Sequence, residues 1–217
     1  MFKKYMRNMP SAYFLFFLLS LLSVSCLGQQ TVSPQGAVPY YQDLAFIQEA
    51  AELGNAEAQF DLGWMYLNGQ GVPKDDTKAV YWFQKAAEQG QGLAEAPYNL
   101  GLMYFNGQGV PKDDTKAVYW YQKAAEQGFA MAQGGLGYMY LEGRGVPQDY
   151  AKAVELYQKA AEQGYAQAQN NLGWMYQHGL GGLPKDKEKA IYWYQKAAEQ
   201  GNDLAQNNLD AIKGGKK

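Results

Sequence analysis

The apolar positions along this chain follow two helical rhythms, and the pair of rhythms occurs four times. In the first, Ala58, Leu62, Met65 and Tyr66 recur at spacings of three and four, which places them on one face of a helix over about Ala56 to Asn68. In the second, Ala79, Trp82, Phe83 and Ala86 do the same after Asp75. Between them lies Gly69-Gln70-Gly71-Val72-Pro73-Lys74. Its glycines can adopt the left-handed backbone that ends a helix, and Pro73 cannot continue one. Asp75 then stands where an N-cap is needed, its carboxylate accepting free amide hydrogens and suiting the helix dipole. Gly90 stops the second helix, and the pattern restarts.

The copies correspond position by position. Gly63 matches Gly101, Gly137 and Gly173; Tyr66 matches Tyr104, Tyr140 and Tyr176. Asp75 matches Asp113, Asp149 and Asp186, and Ala79 matches Ala117, Ala153 and Ala190. The closing glycines Gly54, Gly90, Gly128, Gly164 and Gly201 are separated by 36, 38, 36 and 37 residues. A period in that range marks a stacked array, because one helix pair cannot bury both its faces and must stack on the next. Length differences fall in loops, after Gly90 and within Gly179 to Pro184, where insertions cost little. Asp43 to Leu53 reads as a second half-repeat alone, a leading helix, and Asn202 to Lys213 as a first half-repeat alone, a closing helix with Asp210 in the glycine's place. The count is ten helices. Trp82, Trp120 and Trp193, fixed in the second helix, are assigned to packing.

The N-terminus has a different character. Lys3, Lys4 and Arg7 precede the 11-residue apolar run Ala12 to Leu22, and small residues Ser23, Ser25 and Gly28 follow. That order predicts a signal peptide over residues 1–28; the run is too short to span a bilayer as a helix. Cleavage after Gly28 is one reading. The other is cleavage before Cys26, which would then carry a lipid anchor. Either way the product is exported, periplasmic or secreted. Residues 29–40 hold Pro34, Gly36 and Pro39 without periodicity and read as a linker. The array is expected over 41–213, with repeats at about 54–89, 90–127, 128–163 and 164–200, a partial one at 201–213, and a tail at 214–217.

Composition narrows the chemistry. Removing residues 1–28 takes Lys3, Lys4 and Arg7 from the 19 basic groups and nothing from the 21 acidic ones, so the array is acidic. Without basic clusters it makes a poor nucleic-acid binder. Cys26 is the sole cysteine, so the array has neither a disulfide nor a thiolate metal site. After residue 28 the only serine is Ser33, the threonines are Thr31, Thr77 and Thr115, and the only histidine is His178. A serine or cysteine triad therefore lacks its parts. No metal-site spacing and no cofactor motif is present. The acids recur at fixed repeat positions, as caps or helix endings, which leaves little room for a carboxylate pair. His178, beside Gly179, reads as a residue at the end of a helix. An enzyme is not expected.

With these residues set out, the chain resembles the Sel1-like repeat family. The resemblance is carried by Leu62-Gly63-x-Met65-Tyr66, Gly69-x-Gly71-Val72-Pro73, Asp75, Lys78-Ala79 and Lys85-Ala86-Ala87, repeated over roughly residues 41 to 212. It implies an all-α fold, a right-handed superhelical α/α solenoid of four helix pairs plus a leading and a closing helix, similar to a tetratricopeptide array. It also implies an adaptor for macromolecular assembly, with many bacterial members exported to the envelope.

By analogy with tetratricopeptide arrays, the first helix of each pair lines the concave face. Residues six and three before its glycine, and one, four and five after it, are then directed into the groove. Those are Glu57, Phe60, Trp64, Leu67 and Asn68; Glu95, Tyr98, Leu102, Phe105 and Asn106; Met131, Gly134, Tyr138, Leu141 and Glu142; Gln167, Asn170, Trp174, Gln177 and His178; and Asn207 on the last helix. The expected partner-binding residues are Phe60, Trp64, Asn68, Tyr98, Asn106, Tyr138, Asn170, Trp174, Gln177 and Asn207. Aromatic rings and amides suit a protein segment. They equally suit an envelope glycan stacked on Trp64, Tyr138 or Trp174, and for Trp64 and Trp174 packing between helices is an equal alternative. The expected function is a non-enzymatic protein-interaction adaptor, the alternative a factor that binds or processes envelope peptidoglycan or polysaccharide.

Overall fold

The computed structural model describes residues 40–90 and 92–214. Among them, ten α-helices follow one another without a strand. They are α1 (Tyr40–Glu52), α2 (Ala56–Asn68), α3 (Asp76–Glu88), α4 (Glu95–Asn106), α5 (Asp114–Glu126), α6 (Ala130–Glu142), α7 (Tyr150–Glu162), α8 (Ala166–His178), α9 (Lys187–Ala198) and α10 (Asp203–Gly214). Each packs on the helix before it and the helix after it. The result is a leading helix, four antiparallel pairs and a closing helix, the all-α solenoid that the periodicity predicts. The signal-peptide reading, the linker up to residue 39 and residues 215–217 lie outside the described residues. Two boundaries differ from expectation: α1 begins at Tyr40 rather than Asp43, and α10 runs through Gly214. Short apolar periodicity locates a helix's buried stripe, not the extra turn that backbone hydrogen bonding adds beyond it.

Local chemistry starts and stops the helices as the residues dictate. Asp75, Asp113, Asp149 and Asp186 each accept a hydrogen bond on Oδ1 from the amide three residues on, at 2.9–3.0 Å. Gly69, Gly107, Gly143 and Gly179 end the first helices with φ near +70°, which only glycine adopts without strain. Their amides, or those just after them, close on the carbonyl of the buried methionine one turn back.

Inside each pair, the central glycine is the seat of an aromatic ring. A Cβ on Gly63 would lie 2.8 Å from the ring of Phe83. On Gly101, Gly137 and Gly173 it would lie 2.7, 2.9 and 2.8 Å from Tyr121, Tyr157 and Tyr194. Removing the side chain from one helix lets a fully buried ring of the other cross it. Between pairs, Ala79, Val80 and Phe83 of α3 pack on Leu100 and Met103 of α4, and Ala117, Val118 and Tyr121 of α5 on Leu136 and Met139 of α6. From α7 to α10 the buried residues form one continuous cluster.

Three repeats add an amide relay, centred on a buried glutamine, that the periodicity does not announce. Gln89 donates to Gln59 Oε1 at 2.6 Å, and Gln59 donates to the carbonyl of Ala51 at 2.9 Å. The same two steps run from Gln200 through Gln169 to Ala161, the second at 3.1 Å, and in a looser form from Gln163 through Gln133 to Ala125, the second at 3.5 Å. Each relay ties both helices of one repeat to the helix preceding them. In the second repeat the middle position is Pro97, which has no side-chain donor.

The interhelix loop does more than join two helices, because it also docks on the preceding pair. A Cβ on Gly109 would collide with the carbonyl of Asp76, and one on Gly145 with that of Asp114. Beside Gly145, Arg144 grips Asp114 with two hydrogen bonds, Nε to Oδ2 at 3.0 Å and Nη2 to Oδ1 at 2.8 Å, and lies 4.2 Å from the centre of the Phe105 ring. The Arg144 hydrogen bonds and charge hold the Asp114 carboxyl below its ordinary value. A depressed carboxyl stabilises the fold above its unfolded value, about 3.9, and that contribution is lost as pH falls through the lower folded value. Acidification from about pH 6 to about pH 3 is therefore expected to lower the melting temperature more in the natural chain than in Arg144→Ala. The pair is about a quarter exposed, so added salt should shrink the difference. Equal acid sensitivity of the two proteins would remove the pair from the account.

Candidate partner-binding face

The residue after each central glycine is turned about 100° away from the ring that the glycine seats. It therefore reaches the open side of the first helix. Trp64 is 42% exposed, Leu102 36%, Tyr138 37% and Trp174 36%, a row of large apolar side chains set at one register in four successive repeats. The next row out, Asn68, Asn106, Glu142 and His178, is exposed as well. Asn68 turns its amide back to donate to the carbonyl of Trp64 at 2.9 Å. His178 does the same to Trp174 through Nδ1 at 2.9 Å, a contact that requires the proton on that nitrogen, and its ring lies 4.5 Å from the indole. The helix-end reading of His178 matches this placement.

The other expected residues divide. Phe60 and Tyr98 are half-buried and lean on the seated rings, Phe60 5.5 Å from Phe83 and Tyr98 5.9 Å from Tyr121. Tyr98 also meets Phe129 edge-on at 5.2 Å. The expected groove position Gly134 is buried, and the space it leaves is filled by Tyr165, whose ring a Cβ there would strike at 2.6 Å. Asn170 departs furthest from expectation. It is 2% exposed, its Oδ1 accepts from Asn208 at 2.9 Å, and its Nδ2 donates to Asn171. An amide so engaged is a strut between α8 and α10. Gln177 is half-buried and accepts the hydroxyl of Tyr194 at 2.7 Å. Asn106, on the second helix pair, and Asn207, on the last helix, are exposed. Trp82, Trp120 and Trp193 are half-buried against the core, in line with packing.

The face therefore carries an apolar row, a partly covered aromatic floor and polar helix ends. Burial raises the hydroxyl pKa of Tyr98, Tyr121, Tyr157 and Tyr165, and pushes that of Tyr194 up to about 12, so these phenols stay neutral at ordinary pH. Among the described residues, no group of three or more His, Cys, Asp or Glu side chains is arranged to hold a metal ion. The arrangement can bind through area and shape.

Two contributors to this face escaped sequence reasoning. Arg144 packs on Phe105, whose ring meets Tyr138 edge-on at 6.2 Å, so a loop residue braces the middle of the row. Its only signal was a basic residue between loop glycines where the other copies have Gln70, Gln108 and Leu180. Tyr165 stands at an N-cap position without a capping bond, and an aromatic there was a sign that it serves packing.

Such a stack, with its glycine-seated rings and periodic open face, defines the class as an α-helical repeat scaffold. The Sel1 repeat matches residues 56–91, 94–129, 130–165 and 166–202, and the chain belongs to that family. Among solved structures it is similar to c5321, a protective antigen of uropathogenic Escherichia coli strains with an SLR fold, at 43% identity and a TM-score of 0.74, over 79% of this chain and 36% of that one. It is also similar to a Sel1 repeat protein from Oxalobacter formigenes, at 38% identity and a TM-score of 0.71, over 78% of this chain and 66% of that one. An Arabidopsis thaliana protein, ERAD-associated E3 ubiquitin-protein ligase component HRD3A, is 37% identical over 51 residues, 23% of this chain and 8% of its own length. The chain thus spans about a third of c5321 and a small part of HRD3A. Sel1 repeat proteins are generally protein-interaction scaffolds and typically non-enzymatic. No helix among the described residues is long and apolar enough to cross a membrane.

Proposed function

We propose that this chain is an exported, non-enzymatic adaptor of the bacterial envelope or secreted space that binds a protein partner through the open face of its first helices. The observation that carries the reading is the row Trp64, Leu102, Tyr138 and Trp174, exposed at one register where packing needs no large apolar group. Exposed aromatic anchors ringed by polar side chains are what protein interfaces use. Export rests on the pattern of residues 1–28, with Cys26 as the site of an alternative lipid anchor.

The test is affinity capture from envelope extract with the natural chain and with Trp64→Ala/Trp174→Ala. A specific partner should be recovered by the first and depleted at least about tenfold by the second, since each anchor contributes on the order of 1–2 kcal/mol. A partner retained equally by both would overturn the assignment of this face. Co-sedimentation with purified cell-wall glycan, weakened by Trp174→Ala alone, would replace the protein partner with a glycan.

A further inference from the structure

We propose that the stack of four helix pairs contains one built-in bending joint, between α3 and α4. At the other junctions between pairs, and at the α1–α2 junction, an amide relay crosses the edge formed by the second-to-first helix turns, through Gln59, Gln133 or Gln169. At the α3–α4 junction the relay position is Pro97, which has no side-chain amide to reach back to α3. Pro97 lies in the first turn of α4, where its missing N–H costs the helix nothing, so the exchange removes the bridge and spares the helix.

The partner of the missing amide shows the consequence. Gln127 occupies the place of Gln89, Gln163 and Gln200, but its Nε2 turns to its own helix, donating to the Lys123 carbonyl at 3.3 Å, and its Oε1 accepts the Gly92 amide at 3.0 Å. The opposite edge of the same junction stays held. Gly109 sits against the Asp76 carbonyl, and Thr77 donates to the Gly109 carbonyl at 3.4 Å. Between the two edges the contact is the apolar one of Ala79, Val80 and Phe83 with Leu100 and Met103, which is non-directional and tolerates a change of tilt.

One open edge and one fixed edge make a hinge with its pivot at Gly109. The following junction lacks this freedom, because the Gln133 relay and the Arg144–Asp114 pair hold its two edges. Bending moves Trp64 relative to Leu102, Tyr138 and Trp174, so the apolar row adjusts its span at one place only.

Spin-label distance measurements test this in the full chain carrying Cys26→Ala. Labels at Lys85→Cys and Lys123→Cys span the joint, and labels at Lys123→Cys and Lys159→Cys span the next junction at equivalent exposed positions. The first pair should give a broader distance distribution than the second, and Pro97→Gln should remove the difference. Equal widths in the natural chain would overturn the joint, as would an unchanged width in a folded Pro97→Gln protein. If Pro97→Gln does not fold, Gln133→Leu replaces it. That variant should broaden the Lys123–Lys159 pair, and failure to do so would equally overturn the role given to the relay.

Discussion

Tyr157→Ala is expected to destabilise the array by about 3–5 kcal/mol, the cost of deleting a fully buried aromatic ring whose place the neighbours cannot fill. The ring crosses α6 at Gly137, and that glycine supplies a sharper form of the test. In an ordinary helix, Gly→Ala would stabilise by up to about 1 kcal/mol. Here the new Cβ would lie 2.9 Å from Tyr157 Cε1, and the buried ring has nowhere to withdraw. Overpacking of about 1–3 kcal/mol then outweighs the helix gain, so Gly137→Ala should be destabilising. In the Tyr157→Ala background the obstacle is gone, and the same substitution should become stabilising. Chemical denaturation of the four proteins of this double-mutant cycle reads the reversal of sign directly. A Gly137→Ala effect of the same sign in both backgrounds would mean that the glycine is not a seat for the ring.

Gly145→Ala should have the second large effect, for a different reason. Gly145 has φ +68°, where an alanine is strained by about 1–3 kcal/mol. In addition its Cβ would meet the Asp114 carbonyl, backbone that cannot swing aside as a side chain can. Gly164→Ala is the matched control, since Gly164 has φ +91° but open space around its Cβ. The control should show the strain alone. Gly145→Ala should exceed it and also loosen the Arg144–Asp114 pair, seen as loss of the extra acid sensitivity. Equal costs at the two glycines would show that the loop does not dock on the preceding pair.

Most of the fold was legible because its determinants are local and repeated. Asp75 and its three counterparts cap helices with their own side chains, and Gly69 and its counterparts end them with their own backbone. Four copies of each made the register plain. The face was legible only in part. Helical periodicity places Trp64, Leu102, Tyr138 and Trp174 on one side, and the structure leaves that side open. The same periodicity placed Asn170 there too, yet Asn208, 38 residues away, covers it. At Gly134, Tyr165 closes the surface from the next helix. A side chain's position within its own helix says nothing about what the following helix brings over it.

The sequence by itself determined that this chain is a periodic stack of helix pairs, where the helices of the four repeats are capped and stopped, and that serine and cysteine are absent from the repeats. Those are properties of single residues and of spacings within one turn of helix. Only the tertiary structure decided which of the turned-out residues stay open, which amides cross between helices, and that the crossing fails at Pro97. Each of these depends on groups of different elements meeting, as Gln59 meets the Ala51 carbonyl of the preceding helix and Arg144 meets Asp114 30 residues away. That meeting is fixed by the tilt of one packed helix against another, which the spacing of apolar residues permits without specifying.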